Sequence, residues 1–401
     1  MSGPPAPDGH RGRTVEHIAR PRTAGIGLDV FAVEDRSAQA VCSSLEPGRF
    51  TVSVSGPGRP RPLTIEHPGG PVAWELAGLT PGRRHRVTVR TAAGRTVARR
   101  AFRTLRPPPG EELFRFATLN DLHLGREDKR GTDRLGTRPG ARTPQDMARD
   151  ALSDALAWGA STIVVKGDVC DQSFDRYWDQ ALSLFAAVPV PVWMLPGNHD
   201  TGTRRAVEPD VAARLRGLRM IRGVEHLDVD GLRIVLVESG IPDGGWGDIA
   251  RHRHDVADLV ADARAAGTGT FIGTHHQPQR FRTPLYWPHG TPGPNAGEFA
   301  RTVRAADAGV MVSSGHTHRC RRRDVAGVPW TEVASTHHFP ATWAGYRVFE
   351  GGLMQVVRRT AVPGALAWSE TTRDALGGIW ALWATGTLSD RSFALDWRRL
   401  R

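Results

Sequence analysis

The chain has 401 residues, 39% hydrophobic and 24% charged, a balance that suits a globular protein with room for two or three domains. No run approaches the ~18 consecutive apolar residues of a membrane span, and three scattered cysteines, Cys42, Cys170 and Cys320, exclude a disulfide framework. The formal net charge of +11 is nearly all arginine, with lysine only at 129 and 166, and its spread along the chain argues against a dedicated nucleic-acid face.

Residues 1–25 are rich in Pro, Gly and Arg and are expected to be disordered. They lack the apolar stretch of a secretory signal and any lipidation motif, which predicts a cytoplasmic protein with no membrane partner. From 26 to 105, short alternating stretches such as Arg49–Val54, Pro71–Leu76 and Arg86–Arg90 are broken by Gly and Pro. Period-two alternation at this spacing predicts a small antiparallel β-sandwich. Leu79-Thr80-Pro81-Gly82 and the strand after it resemble the strand–turn–strand of a fibronectin type III-like module. Residues 106–112 open on Arg106-Pro107-Pro108-Pro109-Gly110, a stiff linker.

From 113 to 340, strands and helices alternate. Phe114–Leu119 reads as a strand. Thr143 caps a helix that has Pro144 at its first position and Asp146 in its first turn. Strands are predicted at Ser161–Val165, Val190–Leu195, Leu232–Val237, Thr270–Gly273 and Val310–Val312, with helices near 173–187, 254–266 and 296–307 between them. Residues 341–401 read as a β-rich extension packed on this domain.

Five short motifs fall just past five of these strands, where open sheets present ligand-binding residues. In chain order they are Asp121-Leu122-His123, Gly167-Asp168-Val169-Cys170-Asp171, Gly197-Asn198-His199-Asp200, Thr274-His275-His276-Gln277-Pro278 and Gly315-His316-Thr317-His318. Asp121 and His123, like His316 and His318, are two residues apart and share a face in extended chain. Two divalent metals ~3.5–4 Å apart need a bridging carboxylate with several imidazoles and amide oxygens, which this set supplies. Imidazole mixed with carboxylate suits zinc, iron or manganese rather than a thiolate site. Glycine before Asp168, Asn198 and His316 lets the backbone turn tightly beside a crowded centre. One Asp-x-His alone would be a coincidence of composition; five motifs in order, each after a predicted strand, are not.

These motifs, in this order, resemble those of the calcineurin-like metallophosphoesterase superfamily over about 113–340, and look most similar to its bacterial cyclic-nucleotide and glycerophosphodiester phosphodiesterases. The resemblance implies an α/β (α+β) fold: a four-layer αββα sandwich of two stacked mixed sheets, preceded by the small β-sandwich and followed by the β-rich tail. It also implies two divalent or trivalent metal ions (Mn, Fe or Zn). Asp121, His123, Asp168 and His318 would hold one, and Asp168, Asn198, His275 and His316 the other, with Asp168 bridging. His199 matches the family's catalytic histidine and Asp200 the carboxylate that orients it. His275 and His276 are neighbours that face opposite ways in extended chain; the resemblance selects His275, although Gln277 stands where the family often has Pro. An N-terminal β-sandwich is also similar to that of purple acid phosphatases. However, their metal-binding tyrosine is replaced by Asp171, and their Asp-x-Gly by Asp-x-His, so their colour is not expected.

The function so implied is two-metal-dependent hydrolysis of a phosphodiester or phosphomonoester in a small phosphorylated substrate by a metal-activated hydroxide. His199 would stabilise the transition state or protonate the leaving oxygen. The alternatives are a nuclease acting on DNA or RNA and a non-catalytic metal-binding interaction protein. No DNA-organising insertion supports the first, and the intact ligand set argues against the second. Specificity falls to loops, where Lys129, Arg280 or Arg282 would clamp a phosphate and Tyr286 or Trp287 would stack on a base. His337-His338 has no spacing partner and reads as structural, and Trp368, Trp380 and Trp383 carry no functional argument. The sequence allows a homo-oligomer.

Overall fold

Alternation between residues 28 and 103 becomes seven strands: β1 (Leu28–Val33), β2 (Ala38–Leu45), β3 (Gly48–Ser55), β4 (Leu63–His67), β5 (Gly70–Leu76), β6 (Arg84–Thr91) and β7 (Thr96–Arg103). They pair antiparallel into two sheets, β1-β2-β5 and β4-β3-β6-β7. Val33, Ala40, Phe50, Trp74, Val87 and Phe102 are among the side chains of their shared core. The computed structural model describes residues 27–58, 60–126, 142–202, 207–241, 244–283, 288–373 and 378–401. The 1–25 tail and Lys129, Tyr286 and Trp287 lie outside the described residues.

Twelve further strands follow: β8 (Glu112–Leu119), β9 (Ile163–Lys166), β10 (Val192–Leu195), β11 (Val224–Val229), β12 (Leu232–Val237), β13 (Gly269–Thr274), β14 (Val310–Ser314), β15 (Arg321–Val325), β16 (Val328–Glu332), β17 (Thr342–Phe349), β18 (Gly352–Arg359) and β19 (Ser392–Asp396). One six-stranded sheet has the order β10-β9-β8-β17-β18-β19 and the other β11-β12-β13-β14-β16-β15. Both are mixed: β8, β9 and β10 run parallel, as do β12, β13 and β14, while β17 runs antiparallel to β8. The sheets stack on a core that includes Val164, Ile234 and Met311. Within it Phe116 stacks on Tyr346 at 4.7 Å and meets Phe271 edge-on at 5.1 Å. The helices Pro144–Ala157 and Asp175–Phe185 cover one outer face, and Arg253–Ala265 and Gly293–Ala306 the other. The result is the four-layer αββα sandwich.

Local chemistry explains why these elements start where they do. Thr143 Oγ1 accepts the Asp146 amide at 3.1 Å, and the Asp146 carboxylate accepts the Thr143 amide at 3.3 Å, a reciprocal cap that sets the helix entry. The apolar positions Met147, Ala151, Leu152 and Ala155 then fall on the buried face. Residues beyond 340 do more than pack on the sandwich. β17 lies between β8 and β18, pairing Ala344 with Thr118, so it completes the first sheet from inside.

The N-terminal sheets are tied to this sandwich through buried charge. Arg347 on β17 pairs with Glu34, Asp35 and Glu112, and Arg358 on β18 with Glu34 and Glu75. Gln39 exchanges two 2.9 Å hydrogen bonds with the Arg359 backbone, and Arg391 Nε donates to the Phe31 carbonyl at 2.8 Å. Breaking one side of such a buried network costs about 3–5 kcal/mol, because the surviving charges are left unpaired.

Candidate metal centre

The five motifs converge at the carboxyl ends of β8, β9, β13 and β14, with the loop after β10 beside them. Ligand-capable atoms of Asp121, His123 and His318 lie within 4.8 Å of one another, as do those of Asp121, Asp168 and His275, and those of His275, His276 and His316. The Nε2 atoms of His123 and His318 are 3.1 Å apart, and Asp168 lies 3.8 Å from His123 and 3.4 Å from His275. Asn198 completes the set, its Oδ1 3.1 Å from His275 Nε2. Of the adjacent histidines, His275 is the one that meets both Asn198 and Asp168. His276 turns its Nδ1 to Ser239 Oγ at 2.9 Å.

The backbone bends to achieve this. Asp121, His123, Asp168, His316 and His318 all have positive φ, between 50° and 67°. For a residue with a side chain each such conformation costs about 1–3 kcal/mol, and such strain gathers at functional sites. Two glycines allow the close approach: a Cβ on Gly167 would lie 2.3 Å from His275 Nδ1, and one on Gly197 2.2 Å from Asp168 Oδ1. Backbone amides hold the carboxylates in turn, with His199 N donating to Asp168 Oδ1 at 2.9 Å and His316 N donating to Asp121 at 3.0 Å.

A family model described as calcineurin-like phosphoesterase matches residues 114–320, more than half of the chain. The chain belongs to the calcineurin-like phosphoesterase family. It is a metal-dependent phosphoesterase. A comparison with curated proteins finds no match. Similar solved structures include a dimetal phosphatase from Danio rerio, 15% identical with a TM-score of 0.46, covering 62% of this chain and 97% of that one. Another is purple acid phosphatase PPD1 from yellow lupin, Lupinus luteus, 12% identical with a TM-score of 0.41, covering 82% of this chain and 71% of that one.

The donor chemistry of the phosphoesterase fits a dinuclear centre. Burial opposes ionisation of Asp168, but His275 and His199 outweigh it and hold the carboxyl well below the usual range. Burial likewise opposes ionisation of Asp121, which His318 and then His275 pull down to about 2. Among the described residues neither carboxylate has an arginine or lysine within ion-pair distance; their charged neighbours are the histidines. Burial, then His199, lowers His123 to about 4, and burial, then His275, lowers His316 to about 3. Burial opposes protonation of His275 too, but the Asp168 charge outweighs it and raises that imidazole to about 9, so ligation would displace its proton. Second contacts fix the rings: His275 Nδ1 meets the Lys166 carbonyl at 2.9 Å, His316 Nε2 the His289 carbonyl at 3.0 Å, and His123 Nδ1 lies 3.2 Å from Asp171 Oδ1. His276 Nε2, buried and without a hydrogen-bond partner among the described residues, faces the same space.

The orienting role expected of Asp200 is not what its contacts show. Its buried carboxylate accepts the amides of Gly197 at 2.8 Å, Cys170 at 2.8 Å and Val169 at 3.1 Å, and so clamps two motif loops together. Burial, then the Asp168 charge, raises it to about 7. His199 instead turns Nδ1 to Asp171, 2.9 Å from its carbonyl and 3.3 Å from its carboxylate. Residues adjacent in sequence on one helical turn point different ways, so His199-Asp200 do not meet. The signal that was available is the spacing Gly167-Asp168-x-x-Asp171, which returns a second carboxylate to the same loop. His199 is also the open member of the site, its side chain 38% exposed against 1% for His123. Burial would lower it, but Asp168 and then Asp171 raise it to about 10. Arg280 and Arg282 are exposed, with Arg280 stacked on its neighbour Phe281.

Among the described residues, no helix is long and apolar enough to cross a membrane.

Proposed function

We propose that this phosphoesterase hydrolyses phosphoester bonds of small molecules, with diesters preferred over monoesters, at two ions that share Asp168. Asp121, His123, Asp168 and His318 would hold one ion, and Asp168, Asn198, His275 and His316 the other. The observation that carries the reading is the convergence of these seven residues, with His199 open beside them. The diester preference rests on the Asp-x-His opening motif, which resembles that of the bacterial phosphodiesterase branch.

Ions bound there would polarise the phosphoryl group and lower the pKa of a water nucleophile. The residues of this chain supply the rest. His199, held through Nδ1 by Asp171, keeps Nε2 for the substrate and would serve as the acid that protonates the leaving oxygen. Asp200 keeps the two motif loops in register, and the glycines at 167 and 197 keep the ligands close.

The test is metal analysis of purified protein alongside hydrolysis of bis-(p-nitrophenyl) phosphate, p-nitrophenyl phosphate and DNA, with Mn, Fe, Zn or chelator added. Two ions per chain with chelator-sensitive diester hydrolysis supports the reading. Preference for the monoester moves it to a phosphatase, DNA cleavage moves it to a nuclease, and metal without turnover leaves a binding protein.

A further inference from the structure

Two features without a role by spacing, His337-His338 and the tryptophans near the C-terminus, come together beside His318. The His338 ring lies 6.1 Å from that of His318 and nearly parallel to it, and the Trp380 ring lies 6.4 Å away and nearly perpendicular. Trp383 backs Trp380 at 5.3 Å and carries the Arg319 guanidinium over its face at 4.6 Å. The short helix Ile379–Thr385 that presents both tryptophans is pinned at each end: Trp380 Nε1 donates to the Phe339 carbonyl at 2.9 Å, and the Ala384 carbonyl accepts from Cys320 N at 2.8 Å. Trp380 and His338 are half-buried residues, and Ile379 and Leu382 on the same helix as Trp380 are 67% and 43% exposed.

A phosphoryl centre needs charge and hydrogen bonds around it, not indole. A rigid ring wall set against a ligand histidine serves the organic group attached to phosphorus. We propose that Trp380 and His338 form a specificity wall that stacks on a planar ring in the retained, non-leaving group of the substrate, a nucleobase carried on phosphorus through its sugar. The proposal rests on the phosphoesterase reading above and names the substrate class for that site. Arg319 behind Trp383 is held in a 2.7 Å ion pair with the buried Glu332 carboxylate and so braces the wall rather than facing the substrate. Stacking on one aromatic side chain changes affinity by about 5- to 150-fold.

Two diesters with the same leaving group test this: thymidine 5′-(p-nitrophenyl) phosphate and methyl p-nitrophenyl phosphate. Both release p-nitrophenolate, so only the retained group differs. The wild type is expected to favour the thymidine ester in kcat/KM by ten-fold or more. Trp380→Leu reduces that ratio by about 5- to 150-fold, whereas Trp380→Phe, which loses the same N–H but keeps a ring, retains most of it. Melting temperatures of the three proteins separate a lost ring from a lost helix. A wild type that turns over both esters equally overturns the wall while leaving the phosphoesterase reading intact. Equal preference for a hexyl p-nitrophenyl phosphate overturns the planar-ring class, and a ratio unchanged in Trp380→Leu overturns the role of Trp380. Hydrolysis of neither ester by metal-loaded protein counts against the parent reading instead.

Discussion

Asp171 and Asp200 differ in what they hold, and paired substitutions separate the two roles. The Asp200 carboxylate accepts three backbone amides at 2.8–3.1 Å in a fully buried position. Asp200→Ala strands all three donors. At about 1–3 kcal/mol for each unsatisfied group, partly relieved by water, the loss is about 3–5 kcal/mol. That corresponds to a fall in Tm of roughly 4–6 °C for a chain of 401 residues. Asp171→Asn keeps the 2.9 Å bond from His199 Nδ1 to the backbone carbonyl but removes the charge 3.3 Å away. A lost charge-assisted contact is worth about 1.5–3 kcal/mol, so kcat falls by about 10- to 150-fold. Because Asp171 is partly exposed, Tm moves little. The assay is diester turnover with a thermal melt on each variant. If Asp200→Ala lost activity at wild-type Tm while Asp171→Asn kept full turnover, the argument from contacts would be refuted and Asp200 would recover the orienting role.

Three further outcomes follow from the same geometry. His199→Ala should lower kcat by about 10²- to 10⁴-fold with metal content unchanged; equal loss of both, by turnover and elemental analysis, would make His199 a ligand. Gly197→Ala places a Cβ 2.2 Å from Asp168 Oδ1, so metal content and turnover should fall together; full retention would mean that the loop after β10 relaxes freely. Arg347→Ala, with its side chain 10% exposed, leaves Glu34 and Asp35 without this partner and should destabilise by about 3–5 kcal/mol while kcat at low temperature holds. An unchanged melt would show that the sandwich gains nothing from this network.

What was legible in the sequence was what short range encodes. Thr143 with Asp146 marked a helix start, and the five motifs marked strand ends. What was not legible depends on chain segments far apart in sequence. β17 slots beside β8 across more than two hundred residues, a pairing that no periodicity announces. The rings of His338 and Trp380 meet that of His318 from chain segments that lie beyond the last motif, on either side of β17 and β18. The reversal of Asp171 and Asp200 has a similar cause. Positive φ at Asp168 and the turn at Gly197 decide where each carboxylate points, and residue identity alone does not. Period-two reasoning applied to Asp121 and His123 assumed extended chain, whereas both sit in left-handed backbone and still converge.

The most direct test of a dinuclear centre sharing Asp168 is the metal stoichiometry of the wild type, Asn198→Ala and Asp168→Ala. Two ions per chain in the wild type, about one in Asn198→Ala and close to none in Asp168→Ala are expected, with diester hydrolysis lost in step. Loss of a single ion in Asp168→Ala would contradict the shared ligand, and a wild type that holds no ion yet hydrolyses diesters in chelator would contradict the centre itself.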